Sequence, residues 1–207
     1  MAKETTLGRI VLIRAYFNQI AASWDETSSE RDTTKLERMA KRLNIKPGST
    51  VLDVGTGTGV FIHFLLSQWG ERGRIIALDF AEKMLRRARA KGFNGNIDYL
   101  CADVTNIPLG NEIFDIVVCY ASFPHFQDKS GALAEMNRVI KRGGRLLICH
   151  TSSRARINEI HRQIPAVEND IIPDESEMQM ILSMAGFTEI EIDDNNESYL
   201  ASARKPR

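Results

Sequence analysis

Three aspartates, Asp53, Asp79 and Asp103, each close a short apolar run, and the first leads into Gly55, Gly57 and Gly59. Glycine at alternate positions after a buried strand lets the chain turn without Cβ atoms. A ligand can then approach bare backbone in front of the next helix's N-terminus. Asp79 follows Gly59 by about 20 residues, the spacing at which an acid accepts from both hydroxyls of a ribose. A carboxylate at Asp103 lies on the carboxyl edge of the same sheet and suits an adenine amino group. Three acids in succession make a poor cradle for a polyphosphate. They suit a ligand with an adenosine end and a cationic end. The dinucleotide fingerprint GxGxxG requires Gly or Ala at position 60, which is Val60, so an NAD-dependent oxidoreductase on this fold is the weaker reading. Taken singly, such a glycine cluster is an ordinary turn, and an aspartate such as Asp79 is the cap of the next helix.

Positioning these residues requires parallel strands with helices between them. The runs STVLDV, RIIALD, NIDYLCA, FDIVVCY and RLLICH are mostly continuous in branched apolar residues, as in strands covered on both faces. VFIHFLLSQWG and AEKMLRRARAKG are helical patterns ending at Gly70 and Gly92 in the left-handed capping position. KSGALAEMNRVIKRGG places Leu133, Met136 and Ile140 on one helical face and stops at Gly143 and Gly144. Strand and helix alternate, so the class is α/β with right-handed crossovers. LGRIVLIRAYFNQIAASWDE and ERDTTKLERMAKRLNIKPG form two helices before the first strand. PDESEMQMILSMAGF, TEIEIDD and SYLASARK add a helix and two strands at the end. The chain reads as one domain over 1–207, with a helical cover over 1–46, a ligand-binding core over 47–150 and a lid helix and final strands over 151–207.

VLDVGTGTG, IIALDFAEKML, CADVTNIPLGNEIFDIVVCYASFPHF and EMNRVIKRGGRLLI together resemble the class I S-adenosylmethionine-dependent methyltransferases, and within them the quinone-ring C-methyltransferases. The resemblance covers about Pro47 to Cys149. It implies a Rossmann-like, doubly wound, mostly parallel seven-stranded sheet with the last strand antiparallel. It places Asp53 near the methionine ammonium, wraps Gly55, Gly57 and Gly59 around the ligand, and gives the ribose to Asp79 and the adenine amine to Asp103. Met84 packs on the adenine, and backbone around Tyr120 and Ala121 faces the methionine portion. YFNQIAASWDE is similar to the family's cover segment, which makes Tyr16 and Trp24 candidates for an aromatic lid; ordinary packing is the competing account. The implied cofactor is S-adenosyl-L-methionine and the product S-adenosyl-L-homocysteine.

Methyl transfer from a sulfonium is a direct displacement that depends on alignment and on exclusion of water. An oxygen or nitrogen acceptor usually needs a base as well. The loops after the fourth and fifth strands carry His125 and His150, with His161 further on; His63 lies on a helix and reads as structural. Satisfied polar residues around a pocket are the first account of the three, His125 or His150 as a general base the second, and a three-histidine metal site a distant third. Arg154 is either a surface helix residue or a partner for an acceptor anion. The segment beginning HTSSRARINEIHR departs from the quinone enzymes, and Ser152 or Ser153 suits its helix N-cap.

Composition narrows the partners. Lys plus Arg equals Asp plus Glu at 27 each, which disfavours a broad grip on nucleic acid or an anionic membrane. MLRRARAKG and RARINEIHR are read as solvated helix faces. The N-terminus lacks a secretory apolar core, no run reaches a membrane span, and Cys101, Cys119 and Cys149 read as buried, reduced thiols of a cytoplasmic protein. The expected partner is a small-molecule acceptor, with the protein a monomer or homodimer. A non-catalytic cofactor-binding module is the other alternative.

Overall fold

A computed structural model describes residues 6–27, 32–69 and 73–207. The capping glycine expected at Gly70 lies outside them. The order is α1 (Thr6–Ile20), α2 (Trp24–Thr27), α3 (Thr33–Leu43), β1 (Thr50–Val54), α4 (Ile62–Trp69), β2 (Arg74–Asp79), α5 (Glu82–Ala90), β3 (Ile97–Cys101), β4 (Phe114–Tyr120), α6 (Lys129–Val139), β5 (Ile140–His150), α7 (Arg154–Arg162), α8 (Glu175–Met184), β6 (Thr188–Asp194) and β7 (Tyr199–Arg204). The first expected helix is two, because the chain turns at Ala21–Ser23.

The strands form one sheet in the order β3-β2-β1-β4-β5-β7-β6. β1 to β5 are parallel, and β7 inserts antiparallel between β5 and β6. Strand order reverses between β1 and β4, and at such a switch point ligands bind beyond the carboxyl ends of the strands. Successive side chains of each inner strand point to opposite faces, so a continuous apolar run feeds two cores. Leu52, Val54, Ile76 and Leu78 pack with Leu133 and Met136 of α6 and Leu182 of α8. Val51, Ile75 and Ala77 pack on the other face with α3 and α4.

Local signals set the helix ends. Asp32 accepts from the backbone N–H groups of Thr34 and Lys35 to start α3, and Asn44 closes it in the left-handed region. Leu36, Met39, Ala40 and Leu43 between them form one buried stripe. Ser153, not Ser152, caps α7, and Gly92 follows α5 at φ +61°. α6 ends earlier than its periodicity predicts. Ile140 leaves the helix to pair with Phe114 as the first residue of β5, because extension there buries it completely within the sheet core. Cys101 is also corrected: it is exposed at the end of edge strand β3, whereas Cys119 and Cys149 are buried. Among the described residues no helix is long and apolar enough to cross a membrane.

Candidate active site

The turn after β1 is hooked to β2. The N–H groups of Gly55 and Thr56 both donate to the Leu78 carbonyl, at 2.8 and 2.9 Å. Asp79 fastens the next step: one carboxylate oxygen accepts from Gly57 N and the other from Ala81 N, each at 2.8 Å. The helix-cap account and the ligand account of Asp79 therefore meet in one side chain, whose oxygens retain further lone pairs. Burial pushes its carboxyl up to about 6, against the lowering effect of those backbone donors. Asp53 lies one layer deeper and accepts from the Thr56 hydroxyl at 2.6 Å. Burial raises it to about 7, the Thr56 bond resists, and the neighbouring Asp79 charge adds to the rise.

The three glycines do different work. Gly57 stands at φ +56° with nothing within 4 Å of where a Cβ would be, so its bare backbone faces open space. Gly55 is pressed by Ser122, whose hydroxyl donates to the Val54 carbonyl at 2.7 Å and ties the two loops together. Gly59 is not at the pocket; a Cβ there would press on Phe93, Ile62 and Ala88, so it seats α4 against α5.

A cavity of about 970 Å³, counting its open mouth, occupies the switch point. Its walls include Gly55, Gly57, Asp79, Met84, Asp103, Tyr120, Ala121 and His125. Asp103 sits two residues beyond β3 and accepts from both the N–H and the hydroxyl of Thr105, at 2.8 and 2.7 Å. The Tyr120 ring stacks on Phe61 with centroids 4.5 Å apart, and its hydroxyl lies 3.1 Å from that of Thr151. Ala121 holds φ +52°, a costly position for a residue with a Cβ, directly at the wall.

Other candidates also fall elsewhere. Tyr16 is not at the cavity. Ile10, Ile13 and Phe17 recur on the inward face of α1 at helical spacing, and Tyr16, one residue away, is rotated off it. Phe17 and Trp24 supply the aromatic wall instead, with ring centroids 5.9 Å apart. His150 is 1% exposed and does not line the cavity; it ends β5 paired with Tyr199 of β7, their ring centroids 6.4 Å apart. Arg154 pairs with Asp194 at 3.4 Å, away from the cavity walls. His63 is exposed on α4.

Sequence reasoning missed Asp170, Gln127 and Arg9. Asp170 is 3% exposed, and its carboxylate meets His125 Nδ1 at 2.9 Å, Gln127 Nε2 at 3.1 Å and Arg9 Nη2 at 3.5 Å. His161 lies with its ring centroid 4.8 Å from that of His125, its Nδ1 bonded to the Asp170 carbonyl oxygen. Burial, followed by the nearby His125, pushes His161 down to about 4, so it is neutral at physiological pH. Among the described residues no group of three His, Cys, Asp or Glu side chains is placed to hold a metal ion.

The N-terminal cover is latched over this floor. Asp25 accepts from the Thr58 hydroxyl of the glycine turn and pairs with Lys91 at 3.0 Å. Asn18 bonds both Glu82 and the N–H of Lys83 at the start of α5, each at 2.9 Å. Polar contacts at the rim and aromatic contacts inside form a cover over bare backbone and acids.

Residues 52–148 match a family described as a methyltransferase domain. A ubiquinone/menaquinone biosynthesis C-methyltransferase of Klebsiella pneumoniae is 30% identical over 176 residues, 81% of this chain and 69% of that protein. Its counterpart in Teredinibacter turnerae is 32% identical over 149 residues, 68% of this chain, and the chain spans only 59% of its length. A crystal structure described as a SAM dependent methyltransferase from Aquifex aeolicus is 26% identical, covers 90% of this chain and 97% of its own, and has a TM-score of 0.72.

Proposed function

The chain belongs to the methyltransferase-domain family that includes the ubiquinone/menaquinone C-methyltransferases, and from that premise we propose that it transfers a methyl group from S-adenosylmethionine to a small-molecule acceptor. The observation that carries the reading is the open-faced Gly57 turn fastened to Asp79, with Asp103 on the same wall. These residues fit the cofactor. Asp79 takes the ribose hydroxyls, Asp103 the adenine amine, Met84 the adenine face, and the backbone at Gly55, Gly57, Tyr120 and Ala121 the methionine part. Asp53, beneath Thr56, adds negative potential at that end in its ionised form. When bound, the cofactor supplies a methyl carbon on a sulfonium whose leaving group is a neutral thioether. The protein aligns the acceptor and excludes water.

Residues 1–46 act as the cover, 47–150 as the cofactor core and 151–207 as the acceptor side of a single cytoplasmic domain. The acceptor is small and largely apolar, because Ile10, Phe17, Trp24, Phe80 and Phe126 line the chamber beside His125. The names of the curated relatives support a ring-shaped acceptor. Of the two candidate histidines the base is His125, which borders the cavity; His150 is set aside.

Calorimetry tests the reading. S-adenosylhomocysteine should bind and NAD should not; heat with NAD alone would favour the oxidoreductase. Asp79→Ala should weaken cofactor binding by about 1–3 kcal/mol, the range for losing a buried partner of polar groups. Unchanged affinity removes Asp79 from the ribose.

A second expectation concerns pH. The ribose needs Asp79 ionised, and in the empty protein its carboxyl sits at about 6. The ligand binds the ionised form better, so affinity falls as pH drops through 6, by at most about tenfold per unit for that proton. Titration of S-adenosylhomocysteine from pH 5 to 8 measures this, and Asp79→Asn should flatten the curve around a weaker constant. A wild-type affinity that rises toward pH 5 contradicts the assignment.

A further inference from the structure

Resting on that reading, we infer that Asp170 is the positioning residue of the acceptor base: it holds the proton of His125 on Nδ1, leaves Nε2 as the proton acceptor at the cavity wall, and so commits the site to acceptors that must lose a proton. The geometry is specific. His125 ends the short 3-10 turn Phe123–His125 that follows β4, and that turn is held by Lys129, whose Nζ bonds the carbonyls of Pro124 and Phe126 at 3.0 and 3.1 Å. The ring is gripped edge-on by Phe17, with centroids 5.0 Å apart. Its Nδ1 faces the carboxylate of Asp170 at 2.9 Å, and among the described residues no hydrogen bond takes Nε2. A carboxylate accepts and does not donate, so the proton between the two belongs to Nδ1.

Asp170 is suited to this role because it stays ionised while buried. Burial opposes its charge, but the bond from His125 and the charge that ring carries when protonated, with the bond from Gln127 and the charge of Arg9, hold it below the ordinary carboxylate range. The charged and titratable groups around the ring come from several elements: Asp170 itself, Arg9 reaching Asp170 from α1, buried Lys129 on α6 beneath the turn, neutral His161 on α7 against the ring, and Asp128 capping α6 at the cavity wall. Arg9 also bonds the Ala166 carbonyl at 3.1 Å, so the cover helix and the segment carrying Asp170 close on the base together.

The step balances. The acceptor's proton passes to His125 Nε2 as the acceptor's electron pair forms the bond to the methyl carbon. The carbon–sulfur pair stays on sulfur. The positive charge that began on the sulfonium ends on the imidazolium, next to the Asp170 carboxylate. A preformed thiolate would leave this apparatus idle; a hydroxyl or an enolisable carbon uses it.

The test begins without any ligand. In protein labelled with 15N-histidine, the His125 ring, assigned by its loss in His125→Gln, should carry its proton on Nδ1. Asp170→Asn should shift that proton to Nε2, and Asp170→Glu should restore it. A wild-type ring protonated on Nε2 overturns the assignment whatever the variants do. With S-adenosylmethionine and a substituted hydroquinone as acceptor, Asp170→Asn should lower kcat about 10- to 100-fold with KM and cofactor affinity within about threefold. The acidic limb of its rate profile should move to lower pH, since the charge favouring the imidazolium is gone. A change confined to KM, or an Asp170→Asn variant that methylates the hydroquinone at the wild-type kcat, overturns it too. If wild-type protein binds no S-adenosylhomocysteine, the methyltransferase reading fails on that result alone, and the tautomer still decides for or against Asp170.

Discussion

His125→Gln should lower turnover by about 10²–10⁴-fold, the contribution of a positioned general base, while cofactor affinity changes by less than about threefold. Glutamine keeps the probe clean. It is close in reach to the imidazole and can donate from its amide to Asp170, so the buried carboxylate keeps a partner and the segment carrying it keeps its seat. What it lacks is a basic nitrogen at the cavity. The edge contact with Phe17 is also lost, so some loosening of the cover is expected and should appear as a modest rise in KM. Release of S-adenosylhomocysteine under saturating acceptor, beside calorimetry on the same preparation, separates the two effects. Wild-type kcat in this variant would mean that the acceptor arrives already deprotonated, and the reaction would then rest on proximity and desolvation alone.

The parts of this site that were legible in the sequence are those written within a few consecutive residues. The turn after β1 announces itself because glycine at Gly55 and Gly57 is demanded locally, by backbone sign and by close approach. Asp79 and Asp103 follow from the same logic, since a parallel strand must end at the carboxyl edge and its last polar residue meets whatever binds there. The sheet was legible because strands buried on two faces have no polar alternation to confuse with a helix.

Errors arose where a local pattern has two solutions that only packing distinguishes. Ile140 fits the face of α6 and equally fits an inner strand; pairing with Phe114 decided for the strand. Tyr16 and Phe17 are adjacent aromatics, and one residue is 100° of helix, so the face taken by Ile10 and Ile13 selects Phe17. His150 ends a strand as the acids do, but β5 is flanked by β7, and the pairing with Tyr199 leaves both residues buried. Asp170 had almost no local signature. It lies 45 residues from His125, in a segment with no family pattern. Its one sign was an acid bracketed by apolar Val167, Ile171 and Ile172, a placement that a buried charge takes only with partners.

The glycine turn also sets how tightly cofactor binding and folding are joined, and Gly55→Ala exposes the link. The added Cβ would stand 2.3 Å from the Ser122 Cβ and 2.9 Å from its hydroxyl oxygen, at φ +70°. Neither neighbour can yield cheaply. The Ser122 hydroxyl is bound to the Val54 carbonyl, and the Gly55 N–H is bound to Leu78, so relief must separate β1 from the loop after β4. Forcing an L-residue into the left-handed region costs roughly 1–2 kcal/mol, and overpacking adds about 1–3 kcal/mol. A loss of about 2–5 kcal/mol of stability is therefore expected, readable as a lower denaturant midpoint at unchanged slope. Gly57→Ala is the matched control. It has the same backbone sign, at φ +56°, but open space where the methyl would go. It should lose only the smaller strain energy, yet weaken S-adenosylhomocysteine binding by intruding on the cavity. The pair thus separates a glycine required by the fold from one required by the ligand. If Gly55→Ala is as stable as wild type, the close approach of the two loops is not what holds the floor of the site together.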